Sequence, residues 1–262
     1  MAKVRYIKIL KIQLFVTFIT LCSCISFSTS DKNFLVIENL QLTVENSYAL
    51  DSTVEKFIIP YRSRINTILD STLAYAPIDI TKTDGALNTT AGNLLADIVL
   101  AQATPIYKKR TSKKIDFVLL NHGGIRSIIS KGNVSSRTAY EIMPFENNIV
   151  VVQLKGTTVL ELIDYLIHFN KPHPIAGIQV VLNNDNSLNR VTIGNDAIDS
   201  DKIYTVATSD YLVKGGDDMV FFKNAISTTS IDYKIRTALI DYFIRIDTLH
   251  TQIDNRFYRL NR

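Results

Sequence analysis

Two glycine pairs carry the side chains best suited to chemistry. The first follows an apolar run (Ile115, Phe117, Val118, Leu119, Leu120) as Asn121-His122-Gly123-Gly124, with Arg126 two residues on. Adjacent glycines let the backbone turn tightly and approach a ligand closely. A guanidinium just past such a turn offers a flat fork of donors suited to phosphate or carboxylate. The second pair is Gly215-Gly216, followed by Asp217 and preceded by Tyr211. A carboxylate there accepts hydrogen bonds from both hydroxyls of a vicinal diol such as ribose. A tyrosine six residues earlier supplies a flat face for a nucleobase, a stacking interaction of about 1–3 kcal/mol. Arginine for phosphate, aspartate for ribose and an aromatic for the base together describe a nucleotide. The alternative is two ordinary corners, with Arg126 paired to a surface acid and Tyr211 in the core. The first reading requires the two corners to meet in space.

No reaction centre accompanies these residues. A two-metal phosphoesterase needs Asp, His and Asn ligands spread over several loops. The four histidines, His122, His168, His173 and His250, form no such pattern, and His168 reads as a helix-surface residue. No Ser-His-Asp order, P-loop or carboxylate pair offers another chemistry. No cofactor is expected in this chain.

The elements that must position the two corners alternate between strand and helix, which predicts a mixed α/β (α+β) fold, one domain over 34–262 with a mixed sheet packed by helices. A strand is expected over Phe34–Val44. Apolar residues at helical spacing from Val54 to Leu69 predict an amphipathic helix capped by Asp51 or Ser52. Tyr75–Ile80 reads as an edge or irregular strand because of Pro77. A second helix runs from Asn93 to about Pro105–Arg110, and its basic end (Lys108, Lys109, Arg110) complements the helix dipole. A short helix starts at Ser135 or Ser136 and ends at Met143-Pro144. Asn148–Leu154 is a strand, and Thr158 with Glu161 predicts a capping box for a helix over Val159–Phe169. Ile178–Leu182 and Arg190–Ile193 form a hairpin. Tyr204–Thr208 is a strand, and Ile231–Ile246 builds a closing helix.

At 262 residues, 46% hydrophobic and 21% charged, the chain has enough apolar sequence for a substantial core. Its formal charge of +4 is concentrated at one end. Of the 29 basic residues, Lys3, Arg5, Lys8 and Lys11 precede any acid, which leaves 25 against 25 acidic ones. A near-neutral body removes the electrostatic basis for nucleic-acid binding. The basic start and the apolar run Ile12–Leu21 have the form of a signal peptide over 1–23. Leu21-Cys22-Ser23-Cys24 resembles a bacterial lipobox, with Cys24 as the lipidated first residue of the mature chain and a polar tether over 24–33. A plain signal peptide or an uncleaved anchor is the alternative. An exported protein of the bacterial envelope (periplasm or outer membrane) is expected, held to the membrane by lipid alone. Cys22 and Cys24 are too close to staple a fold.

Six ordered motifs add a resemblance. Ala91-Gly92-Asn93-Leu94-Leu95-Ala96-Asp97, Asn121–Arg126, Met143-Pro144-Phe145-Glu146-Asn147, Leu154-Lys155-Gly156, Tyr204–Thr208 and Gly215-Gly216-Asp217 look like the C-terminal domain of the 5′-nucleotidase family. The resemblance covers roughly Thr83–Phe222. It implies that Asn121, Gly123, Gly124, Arg126, Tyr211, Gly215, Gly216 and Asp217 bind substrate: Arg126 at phosphate, Asn121 near the nucleoside, Asp217 at ribose and Tyr211 on the base. In that family a separate metallophosphoesterase domain holds two divalent metals and performs hydrolysis. The chain departs from the pattern in three places. His122 replaces a small residue, and the expected additional arginine near Gly92 is missing. A second stacking aromatic, expected before Ile178, is replaced by Lys171-Pro172-His173-Pro174, where His173 is a poorer platform. The resemblance implies the recognition half of a split 5′-nucleotidase acting in nucleotide catabolism, with a separate metallophosphoesterase chain as partner. A non-catalytic nucleotide-binding lipoprotein and a degenerate interaction module are the alternatives.

Overall fold

The computed structural model describes residues 13–17 and 49–260. The chain divides into two units, Met1–Asp51 and Ser52–Arg262. In the first, residues 13–17 are helical and exposed. Cys22, Cys24, the tether and the strand expected at 34–44 lie outside the described residues. No described helix is long and apolar enough to cross a membrane.

In the second unit, alternating side chains of one mixed sheet organise two cores. The strands are β1 (Thr72–Ala76), β2 (Phe117–Leu119), β3 (Gly132–Ser135), β4 (Asn148–Lys155), β5 (Ile175–Ala176), β6 (Ile178–Leu182), β7 (Leu188–Ile193), β8 (Asp196–Ala197), β9 (Ile203–Ser209), β10 (Ser227–Lys234) and β11 (Phe257–Arg259). The central sheet runs β10-β4-β9-β2-β5, with only β2 and β9 parallel. Ile149 and Val151 of β4, and Val118 of β2 with Leu120 just beyond it, face one core. Their neighbours Val150, Val152, Leu154, Phe117 and Leu119 face the other. This period of two, buried on both faces, is why these strands read as continuous apolar runs. Helices α2 (Thr90–Thr111) and α6 (Ile235–Arg245) cover the first face. Helix α4 (Gly156–Phe169) and the sheet β11-β6-β7-β8 cover the second.

Local chemistry sets the boundaries. Thr89 caps α2 by accepting from the Gly92 N–H, and Ser112 ends it in a left-handed conformation. The short helix α3 (Ser136–Ile142) has Ser135 as its N-cap in a reciprocal box with Thr138. The box expected at Thr158 does not form, because α4 begins earlier, at Gly156. A Cβ at Gly156 would sit 2.0 Å from the Asp199 carbonyl, so this start needs a residue without a side chain. The expected closing helix is also divided. Ser227–Lys234 forms β10 on the sheet edge, where it buries only Ile231, and the helix starts at Ile235. The first helix, α1 (Ser52–Asp70), forms as the spacing predicts but buries none of its residues.

Candidate functional site

The parallel pairing of β2 and β9 brings the two glycine corners together. Phe117 lies beside Val206 and Val118 beside Ala207, so both strands leave the sheet at the same end. Strand β2 leads to Asn121 and a 3-10 turn over His122–Gly124. Strand β9 leads to the short helix α5 (Asp210–Val213), which carries Tyr211, and then to Gly215 and a 3-10 turn over Gly216–Asp218. Clefts beyond the carboxyl ends of neighbouring parallel strands are where α/β proteins hold small ligands.

The corners are in direct contact. Asn121 Nδ2 donates to Asp217 Oδ2 at 2.8 Å, and the Tyr211 hydroxyl donates to Asp217 Oδ1 at 2.9 Å. This bond to the carboxylate raises the Tyr211 pKa, so the phenol stays a donor. Each carboxylate oxygen keeps a further lone pair for a ligand. Asp217 holds a left-handed backbone (φ 51°), as does Gly215 (φ 92°). Non-glycine residues in that region concentrate at sites where the surroundings enforce them. Here the Tyr165 hydroxyl from α4 donates to the Asp217 carbonyl at 2.7 Å. Burial first, then the Asp217 and Asp218 carboxylates, pushes this phenol up to about 12. A Cβ on Gly216 would lie 2.4 Å from the Tyr211 ring, so the ring rests directly on the glycine backbone. Tyr165→Phe is expected to cost about 1 kcal/mol in urea denaturation and to speed amide exchange in the 216–218 turn, because a half-buried carbonyl loses its donor.

A cleft of about 270 Å³ opens between the corners, lined by Asn121, Gly123, Gly124, Arg126, Tyr211 and Asp217 together with Phe145 and Asn147. Gly215 and Gly216 do not line it; they shape the turn that presents Asp217. Arg126 is exposed, and its guanidinium lies 5.8 Å from the centre of the Phe145 ring. No carboxylate lies within ion-pair distance of it among the described residues. Tyr211 and Phe145 are both part-exposed, at 43% and 39%. Tyr211 therefore stays out of the core.

Phe145 corrects the expectation of a second aromatic ahead of Ile178. His173, the residue in that segment, is 3% exposed and lies behind the loop, where its Nδ1 accepts from the His122 backbone N–H. Burial lowers it to about 4, so it is a neutral structural acceptor and no stacking platform. The signal for Phe145 was present in Met143-Pro144-Phe145-Glu146-Asn147, but its position depends on a distant residue. Arg236 of α6 is buried, stacks 4.1 Å over Tyr140, donates to the carbonyls of Met143, Pro144 and Phe145, and pairs with Glu146. Near Gly92, where an additional arginine was expected, Asn93 is 1% exposed and bonded to Asn88 and the Gln252 carbonyl. Lys82 donates to the Ile125 carbonyl at 2.6 Å, one residue before Arg126. Among the described residues, no group of three or more His, Cys, Asp or Glu is arranged to hold a metal ion.

Comparison with known proteins identifies the family and the fold. The family described as 5′-nucleotidase, C-terminal domain, matches residues 69–224. The cell wall protein Lmo0130 of Listeria monocytogenes is 25% identical over 194 residues, 65% of this chain and 24% of that protein. Protein UshA of Escherichia coli is 30% identical over 134 residues, 48% of this chain and 24% of that protein. The chain thus spans about a quarter of the length of these two relatives. Among solved structures, a 5′-nucleotidase precursor from Thermus thermophilus superposes with a TM-score of 0.66 at 21% identity, covering 80% of this chain and 43% of that one. A family match over more than half of the residues, on a shared fold, means that this chain belongs to the 5′-nucleotidase C-terminal domain family.

Proposed function

We propose that this chain is the nucleotide-recognition half of a split 5′-nucleotidase, taking base, ribose and phosphate in the cleft between the two glycine corners. The observation that carries the reading is the convergence on one cleft of a fixed carboxylate, two part-exposed aromatic rings and an arginine with no carboxylate partner among the described residues. Phe145 and Tyr211 supply the base platforms, Asp217 accepts from the ribose hydroxyls and Arg126 donates to phosphate. Asn121 contributes through the Asp217 carboxylate it orients and through its own place in the cleft wall. Hydrolysis belongs, in this reading, to a separate metallophosphoesterase chain that holds the divalent metals. The basic, apolar leader and the Cys24 lipobox support export and a lipid anchor at the bacterial envelope.

Titration calorimetry with AMP and adenosine tests the cleft. Arg126→Ala is expected to weaken AMP binding about 10- to 100-fold and to leave adenosine unchanged, because a charge-assisted hydrogen bond to phosphate is lost. Failure of the unaltered chain to bind either ligand overturns the nucleotide reading. Phosphate release from AMP by the purified chain alone overturns the split arrangement while leaving the cleft assignment standing.

A further inference from the structure

The wall of the nucleotide cleft has a second pocket against it. Gly123 and Asp217 line both spaces. Beyond them a pocket of about 370 Å³ is walled by His122, Tyr165, Phe169 and His173. Its deepest polar group is not spent within the protein. His173 is 3% exposed, and its Nε2 has no hydrogen-bond partner among the described residues. The Leu120 carbonyl acts on this ring to favour its proton, yet stands outside hydrogen-bond geometry with Nε2. His122 Nδ1, also buried, has no partner among the described residues either.

The loop decides which nitrogen of His173 holds the proton. Nδ1 accepts from the His122 backbone N–H at 3.2 Å, and burial keeps the ring neutral, so its single proton sits on Nε2. A protonated Nε2 cannot ligate a metal. It is a buried donor, and leaving one unpaired costs about 1–3 kcal/mol. The other walls set the shape and charge of what fits. The centre of the Tyr165 ring lies 4.3 Å from that of Phe169 and 5.6 Å from that of His173, so aromatic faces bound the space. Asp217 and Asp218 are both in the lining, against the exposed Lys171, which disfavours an anion. A cation meets the Nε2–H dipole and the Lys171 ammonium.

We propose that this pocket is a second small-molecule site, for a flat, neutral molecule with an amide edge, an aromatic carboxamide or lactam. The amide carbonyl accepts from His173 Nε2–H, and the ring packs against Tyr165 and Phe169. An amide carries both an acceptor and a donor, so it satisfies His122 Nδ1 in either tautomer. The site does not depend on what the nucleotide cleft binds.

Benzamide, titrated into the isotope-labelled full-length chain and followed at the imidazole side chains by NMR, tests the proposal. The His173 Nε2 resonance is expected to shift to saturation, and its proton to exchange more slowly with water. Phe169→Ala, at a part-exposed position ending α4, is expected to weaken benzamide binding about 10-fold by removing one aromatic wall. Phe145→Ala, in the nucleotide cleft, is expected to leave it unchanged. The reverse pattern puts benzamide in the nucleotide cleft and overturns the proposal. A His173 Nε2 resonance indifferent to benzamide overturns it as well, with an ordered water then the partner of that nitrogen. This second readout needs no variant, so it stands even where a substitution disturbs the loop.

Discussion

Arg256→Ala is expected to destabilise the protein by about 3 kcal/mol and to lower its melting temperature by roughly 6–12 °C. The Arg256 side chain is only 14% exposed. Its guanidinium donates to Asp97 (2.9 and 3.0 Å), Asp254 (2.7 Å from Nη2) and the Ile175 carbonyl (2.8 Å). It thus ties the C-terminal segment to α2 and to β5 at the edge of the central sheet. Burial works against its charge, yet the hydrogen bonds it donates to Asp254 and Asp97 outweigh burial and raise its pKa. Removing it leaves two carboxylates and a carbonyl without their donor. Asp97 is 53% exposed and Asp254 32%, so water recovers part of the loss, and the low end of the range for a broken buried pair applies. Asn88 reinforces the same junction: its Nδ2 donates to the carbonyls of Asp254 and Phe257. Arg256→Lys is expected to recover little, since one ammonium cannot reproduce a planar fork engaging two carboxylates. Acid narrows the difference. For Asp254, burial favours the neutral form but hydrogen bonds from Arg256 win, so its pKa falls below 3.8. Its stabilising contribution is complete above 3.8 and is lost as pH falls through the lower folded value. Thermal melts at neutral and acid pH, unaltered protein against variant, measure both effects.

Asp217→Asn is expected to weaken ribonucleoside binding about 10- to 100-fold and to leave 2′,3′-dideoxynucleoside binding unchanged. Asparagine tolerates the left-handed backbone at this position, so the turn survives the exchange. What changes is the acceptor. The carboxylate now receives Asn121 and Tyr211 on separate oxygens, with a lone pair of each left for a diol. An amide replaces one oxygen by a donor and removes the charge that strengthens every bond to the other. Calorimetry with the ribo and dideoxy forms of one nucleoside separates diol recognition from general damage to the cleft. Equal losses for both ligands would show that Asp217 acts only as a scaffold.

The contrast between Asp217 and Phe145 marks how far the chemistry was legible in sequence. Gly-Gly-Asp and Gly-Gly-x-Arg announce their backbone needs and their functional groups within a few residues. Phe145 carries no such local sign. Its loop is held by Arg236, about ninety residues later in the chain, and Met143-Pro144 by itself reads only as a helix end. His173 erred in the opposite direction: a histidine in a proline-rich segment resembles an exposed platform until packing closes over it. Among the elements, the doubly buried strands β2, β4 and β9 were readable because apolar runs persist on both faces. Strand β10 was not, since Ser227–Lys234 is a mostly polar edge whose partner alone makes it a strand. Strand β11, Phe257–Arg259, is too short to show a period and exists by pairing in parallel with β6.

By itself, the sequence determined a mixed α/β body, the two corner loops with their arginine, aspartate and tyrosine, and an amphipathic first helix, because periodicity and turn chemistry act over a handful of residues. Only the tertiary structure decided that the corners touch, that Phe145 completes the cleft while His173 is buried behind it, and that α1 buries none of its residues. Those outcomes rest on the parallel pairing of β2 with β9 and on buried arginines bonding across some ninety residues or more, contacts whose free energy exists only once distant segments have met.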